Sequence, residues 1–188
     1  MTSVVSDMLD RKFDVCFGHG DQNGDGVMER ADVIALAARI IAYLDAPFDS
    51  PKAQALLVAF QNFWENVSTE FDTDGDGLIS KTEWREGLRK FAASGDVYRE
   101  GFRPLAEALF ALCDADNNGK VSPEEFFQYQ RAFGTSPENS RLAFERLDRD
   151  GSGSLSVEEL LDAWHEYYTS PDPQAPGNWL YGDIGPLA

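Results

Sequence analysis

The stretch that decides the fold is DTDGDGLISKTE at residues 72–83. Within twelve residues it places acids at the first, third, fifth and last positions and a glycine at the sixth. A hard divalent cation such as Ca²⁺ takes six to eight oxygen ligands, and this spacing supplies them from a single turn. The segment therefore predicts a metal-binding loop between two helices.

The same twelve-residue frame occurs three more times, at residues 21–32, 114–125 and 148–159. The frame at 114–125 matches the pattern fully, whereas each of the other two departs from it at one position. Asp32 ends the first loop in place of a Glu, and Ser152 replaces an Asp or Asn in the fourth. One such turn would be an ordinary acidic surface loop, but four of them form an internal repeat.

The predicted metal ligands are side-chain oxygens at loop positions 1, 3, 5 and 12, together with the backbone carbonyl at position 7. Asp32 is one methylene shorter than Glu, so Mg²⁺ becomes more competitive at the first loop. The sequence thus predicts up to four Ca²⁺ ions. The ligands would be Asp21, Asn23, Asp25, Val27 and Asp32; Asp72, Asp74, Asp76, Leu78 and Glu83; Asp114, Asp116, Asn118, Lys120 and Glu125; and Asp148, Asp150, Ser152, Ser154 and Glu159.

The residues around the loops predict how the loops are connected. Position 8 is apolar in every loop, which predicts short β-bridges between paired loops. Serines three residues before the final Glu of loops two, three and four have the spacing of a capping box. Ser50-Pro51 predicts a further helix start, and Gly18-His19-Gly20 predicts a loosened end to the helix that enters loop one. The position-8 residues are Met28, Ile79, Val121 and Leu155.

With these motifs in view, the chain resembles the EF-hand superfamily, and within it the sarcoplasmic calcium-binding proteins and calerythrin. The narrower resemblance is carried by the long interval between loops one and two, by MERAD at 28–32 and by YYTSPDPQAPGNWLYG at 167–182. It implies an all-α fold in which four EF-hands form two pairs, packed into a compact globule. The pairs would span 1–93 and 97–169, followed by a Pro/Gly-rich tail at 170–188.

The tail distinguishes between the possible functions. Its prolines and glycines exclude a helix, yet it carries the apolar residues Trp179, Leu180, Tyr181 and Ile184, which we expect to pack on the core. A packed tail and only three methionines favour an intracellular calcium buffer. One alternative is a calcium sensor that regulates an unknown protein target. Another, implied by a resemblance to photoproteins and luciferin-binding proteins, is the binding of an apolar small molecule.

Composition and the remaining side chains argue against several further classes of function. Acidic residues outnumber basic ones 33 to 16, and the resulting charge of −17 argues against nucleic acid or an anionic membrane as a partner. Cys16 and Cys113 are expected to be buried free thiols. His165 has no nucleophile beside it in any motif, so we expect no catalysis. We identify neither a signal peptide nor a membrane span, and the sequence predicts a cytoplasmic monomer.

Overall fold

Each of the four loops lies between two α-helices. The computed structural model describes residues 2–94 and 96–182, and within these ranges the side chains other than those of 2–7 and 96–101. The predicted all-α fold is confirmed. The described helices are α1 (Thr2–Gly20), α2 (Arg30–Tyr43), α3 (Pro51–Phe71), α4 (Lys81–Ala92), α5 (Asp96–Cys113), α6 (Pro123–Arg131), α7 (Pro137–Leu147) and α8 (Val157–Thr169).

Helix starts follow the predicted caps. The hydroxyl oxygen of Ser50 accepts a hydrogen bond from the N–H of Ala53, and Pro51 occupies the first helical position of α3. Ser80 forms a reciprocal capping box with Glu83, and the serines before α6 and α8 do the same with their glutamates. Because the capping glutamate is also loop position 12, each helix start fixes where that carboxylate lies.

The loops pair through short β-structure, as the position-8 residues predict. Strand β1 (Val27–Met28) runs antiparallel to β2 (Ile79–Ser80), with Met28 opposite Ile79. Val121 and Leu155 form an isolated antiparallel bridge, with N–H···O distances of 2.9 and 2.8 Å. Loop one is therefore joined to loop two, and loop three to loop four.

The apolar core continues from one pair of loops to the other. The indole N–H of Trp84 in α4 donates to the carbonyl of Phe13 in α1 at 3.1 Å, and Phe13 is completely buried. The hydroxyl of Tyr167 in α8 donates to the carbonyl of Lys12 at 3.0 Å. Helix α1 thus packs against both the first and the last EF-hand pair. The predicted boundary between the pairs includes Gly95, which lies outside the described residues.

Two local expectations were wrong. Helix α1 continues through Gly18 to Gly20, and the N–H of Asp21 still bonds the carbonyl of Phe17 at 2.8 Å. The Met28 side chain packs against Gly20 in the space that a Cβ would need, so this glycine permits a close contact at the end of the helix. In the tail, residues Pro176–Trp179 form a 3-10 helix despite the prolines and glycines. Ile184, also expected to pack on the core, lies outside the described residues.

Membrane insertion of a helix finds no support. None of the described helices is both long enough and apolar enough to cross a bilayer.

Gly87 in α4 yields a stability prediction. A Cβ at this buried position would collide with the ring of Phe71 at the end of α3. We expect Gly87→Ala to destabilise the fold by about 1–3 kcal/mol through overpacking, partly offset by about 1 kcal/mol of helix propensity. Thermal unfolding in saturating Ca²⁺ measures the effect.

Gly18→Ala is the matched control. Gly18 is helical like Gly87 but is exposed, and a Cβ there would meet no atom outside its own stretch of helix within 4 Å. Only the propensity gain applies there, so its Tm should stay equal or rise. Equal melting temperatures for the two variants would contradict the close packing of Gly87 against Phe71.

Candidate metal centres

Carboxylates converge in three of the four loops. In each group the ligand oxygens lie within 4.8 Å of one another, which is the spacing that one divalent ion requires of its ligands. All the donors are oxygens, the ligand type that Ca²⁺ and Mg²⁺ prefer. The residues present therefore fit a hard cation. The groups are Asp72, Asp74 and Asp76; Asp114, Asp116 and Glu125; and Asp148, Asp150 and Glu159.

The first Asp of each loop is held by the loop's own backbone. The carboxylate of Asp72 accepts hydrogen bonds from the N–H groups of Gly75 and Gly77 at 2.7 and 3.0 Å. Asp114 accepts in the same way from Asn118 and Gly119, both at 3.0 Å. The position-6 glycines adopt φ values of +78° to +90°, which a side chain would strain. These hydrogen bonds and glycine conformations therefore give the turn its shape.

The carboxylate at position 12 closes the loop. Glu83 accepts through Oε1 from the N–H and hydroxyl of Thr73, and through Oε2 from the N–H of Ser80. These backbone N–H groups, Ser80 first and Thr73 second, hold the pKa of Glu83 at about 2. The carboxylate is therefore ionised at neutral pH and available as a ligand.

Loops three and four repeat this closure. The N–H of Ala115 donates to Glu125 at 2.9 Å, and the N–H of Arg149 donates to Glu159 at 2.9 Å. Sequence reasoning missed this role of the residue at position 2. Its only signal is position within the frame, because a backbone N–H places no constraint on the side chain.

Loop one differs from the others. Asp32 accepts from the N–H groups of Gln22 and Asn23 at 3.2 and 3.3 Å, and through its other oxygen from Glu29 at 3.1 Å. It is only 3% exposed. Among the described residues, the groups of three convergent acids do not include this loop, where Asn23 takes the place of an acid at position 3. Asp32 closes the loop, but Asp21, Asp25 and Asp32 do not converge as three acids of each other loop do.

Ser152 makes loop four less acidic than loop two, which has Asp76 at the same position. Its hydroxyl donates to the carbonyl of Ser154 at 2.9 Å, which is the predicted position-7 ligand. Its backbone N–H donates to both Asp148 and Asp150. The bond to Asp150 is the largest cause of a pKa of Asp150 below its usual range. Position 5 thus contributes polarity without charge.

The histidine and cysteine side chains have packing roles. His19 lies against the rings of Phe133 and Tyr181, and burial lowers its pKa to about 4. The thiol of Cys16 is 3.0 Å from the hydroxyl of Tyr168, and burial raises the Cys16 pKa to about 12. At neutral pH the His19 imidazole is therefore neutral and Cys16 is a protonated thiol.

Comparisons with known proteins agree with this geometry. A family profile described as an EF-hand domain pair matches residues 61–131, and one described as an EF hand matches residues 141–162. Calerythrin from Saccharopolyspora erythraea is 25% identical over 169 residues, which cover 89% of this chain and 93% of calerythrin.

Three solved structures have a similar overall fold. A Streptomyces coelicolor calcium-binding protein, described in terms of calcium-mediated regulation, is 27% identical with a TM-score of 0.78, covering 87% of this chain and 99% of its own. A sarcoplasmic calcium-binding protein from amphioxus is 19% identical with a TM-score of 0.76, over 94% and 97% of the two chains. The coelenterazine-binding protein of Renilla muelleri is 21% identical with a TM-score of 0.74, over 97% and 99%.

The last two similarities, below 25% identity, establish a shared fold only. Together with the loop geometry, the comparisons show that the chain contains EF-hand domains that bind calcium, is similar to calerythrin and shares its fold with a sarcoplasmic calcium-binding protein.

Proposed function

We propose that this EF-hand protein is a calcium buffer that holds up to four ions, with loop one the most tolerant of Mg²⁺. The ligands would be the side chains at positions 1, 3, 5 and 12 and the carbonyl at position 7 of each loop. The observation that carries the buffer role is the packing of the described part of the C-terminal tail, residues 170–182, against the second EF-hand pair.

Backbone groups of the tail are tied to α6 and α8. The side-chain amide of Gln130 in α6 donates to the carbonyls of Trp179 and Leu180 at 3.1 and 3.3 Å. The N–H of Gly177 donates to the carboxylate of Glu166 in α8 at 2.9 Å. The tail is therefore attached to the exiting helices of both loop three and loop four.

Tail side chains complete the core. Leu180 is 1% exposed, and the hydroxyl of Tyr181 accepts the indole N–H of Trp164 at 3.0 Å and lies 3.1 Å from the hydroxyl of Tyr168. Arg146 in α7 lies over the ring of Trp179, 4.5 Å from its centroid. Burying one such side chain is worth about 1.5–3 kcal/mol. A target helix would have to displace these contacts to reach the same face.

The methionines support the same proposal. Adaptable target grooves in calcium sensors are rich in exposed methionine. Here Met8 and Met28 are both buried, at 6% and 2% exposure.

A sensor role is the second candidate, favoured by an apolar groove on the side of the molecule away from the tail. Its described walls come from α3, α4 and α5 and include Phe63, Phe71, Leu88 and Phe91, around a volume of about 450 Å³. The related Streptomyces coelicolor protein is described in terms of calcium-mediated regulation. A partner would bind here, away from the tail.

The third candidate function, the binding of an apolar small molecule, has less support. The internal cavity bounded by Tyr129, Phe133, Trp164 and Tyr181 has a volume of about 70 Å³. Ligand pockets for small organic molecules are typically about 300–1,000 Å³. The core would have to open substantially to admit a coelenterazine-sized molecule.

We further propose that the protein acts as a monomer in the cytoplasm. Cys16 and Cys113 are free, and burial raises the pKa of both thiols, so neither forms a structural disulfide. Free thiols, half-buried at Cys16 and buried at Cys113, suit a reducing compartment.

Stoichiometry tests the ligand assignment. Saturating Ca²⁺ should fill at least three loops in isothermal titration calorimetry. Glu125→Gln removes one charged oxygen ligand and should weaken one site by at least tenfold, leaving the others nearly unchanged. Glu124→Gln, the neighbouring exposed residue on α6, is the matched control and should change the titration little. Fewer than three ions bound to the unmodified protein would refute the assignment.

Loop one should be the most tolerant of Mg²⁺. Asp32→Glu lengthens the position-12 side chain and should raise the ratio of Ca²⁺ to Mg²⁺ affinity at that loop. The reciprocal change, Glu83→Asp, should lower the ratio at loop two. Competition titrations of Ca²⁺ against Mg²⁺ measure both. Unchanged ratios in both variants would show that the length of this residue does not set selectivity.

Removing the tail separates the buffer from the open sensor. Truncation after Pro173 deletes the contacts of Leu180 and Tyr181, so the calcium-loaded Tm should fall and binding of the dye ANS should rise. Trp179→Ala, which leaves the chain at full length, should cause a smaller change in the same direction. Strong dye binding by the intact calcium-loaded protein, unaffected by truncation, would replace the buffer proposal with the sensor.

A further inference from the structure

Lys52 in the first turn of α3 reaches loop three, 62 residues further along the chain. Its Nζ donates to the backbone carbonyl of Asp114 at 2.6 Å. Asp114 directly follows α5, so the bond satisfies one of the carbonyls that a helix leaves without a partner at its C-terminal end. The first half of the chain thereby places a cation at a loop of the second half.

The ammonium is close enough to act on the ligand oxygens. Asp114 supplies both the carbonyl that Lys52 bonds and the position-1 carboxylate of loop three, which is 7% exposed as a residue. Standard bond lengths put the Nζ within about 8 Å of that carboxylate. This is no more than the screening length of about 8–10 Å at physiological salt.

Cations in loops two and four are matched by acids. Lys81 in loop two pairs with Asp14 at 3.0 Å, and Arg149 in loop four pairs with Glu166 at 2.8 Å. Within the described side chains, by contrast, the ion pairs do not include Lys52, and its bond is to an uncharged carbonyl. The positive charge of Lys52 is therefore left to act on loop three.

We infer that Lys52 lowers the divalent-cation affinity of loop three while capping the end of α5. The inference rests on the proposed ligand set of that loop. A unit charge and a divalent ion about 8 Å apart in a solvated site correspond to a two- to tenfold change in the dissociation constant at low salt. Since charge repulsion does not distinguish ion size, the affinities for Ca²⁺ and Mg²⁺ should change by the same factor.

Glycine amides provide a readout for each loop. The N–H of Gly119 donates to Asp114 at 3.0 Å, and Gly26, Gly77 and Gly153 make the equivalent bond in the other loops at 2.8–3.0 Å. In ¹⁵N-labelled full-length protein, the chemical shifts of these amides follow the occupancy of each loop separately. Three loops then serve as internal controls in every titration.

The test compares Lys52→Gln, which removes the charge but keeps a hydrogen-bond donor, with Lys52→Arg, which keeps both. In 20 mM salt, Lys52→Gln should tighten Ca²⁺ and Mg²⁺ binding at Gly119 two- to tenfold, and 500 mM salt should abolish most of that difference. Lys52→Arg should match the unmodified protein. Lys90→Gln, at an exposed position of α4, is the control for net charge. If Lys52→Gln unfolds, Lys52→Met keeps the aliphatic stem and serves in its place.

The outcomes are distinguishable. An unchanged affinity at Gly119 in Lys52→Gln, or an equal effect of Lys90→Gln, overturns the inference. A gain in affinity that persists in high salt also overturns it, since that result indicates a change in loop shape. A Gly119 amide that never responds to Ca²⁺ refutes the ligand assignment of loop three instead. The Tm of the calcium-free protein reports the capping role separately.

Discussion

The structure depends on the carboxylate at position 12 of each loop. One of its oxygens bonds the backbone at the beginning of the loop, and the other bonds the residue that starts the next helix; Glu125 does this at 2.9 and 2.8 Å. A single side chain thus closes the loop and caps the helix. Whatever moves the carboxylate moves the helix start with it, so metal affinity and helix geometry cannot be adjusted independently.

This constraint extends through the molecule because the loops and helices are joined in turn. The β-bridges connect loop one to loop two and loop three to loop four. Helix α1 then bonds to α8 through the hydroxyl of Tyr167 and through contact of Cys16 with Tyr168, whose hydroxyl meets Tyr181 of the tail. A change in one loop is therefore opposed by packing in both halves. Such resistance to opening is what a buffer needs and what an open sensor must overcome.

The sequence was informative wherever an interaction is local. The twelve-residue frames, the capping serines and the apolar position 8 all act over a few residues, and the structure has the helices, caps and bridges that they predict. Long-range packing could not be derived in this way. Nothing in Gly18-His19-Gly20 shows that Met28 packs against Gly20, and nothing near Lys52 indicates its bond to Asp114. Those contacts depend on how helices cross, which no short pattern specifies.

The same bonds explain how so acidic a chain can be folded around its own charges. With 33 acids against 16 bases, the clustered carboxylates repel one another, and this repulsion opposes the assembly of the loops. Backbone N–H groups offset it: two bond Asp72, two more bond Glu83, and they keep the pKa of Glu83 near 2. The loops are therefore held in shape while still charged. A cation bound in such a loop would lie among these fixed charges and would also be subject to a basic neighbour such as Lys52.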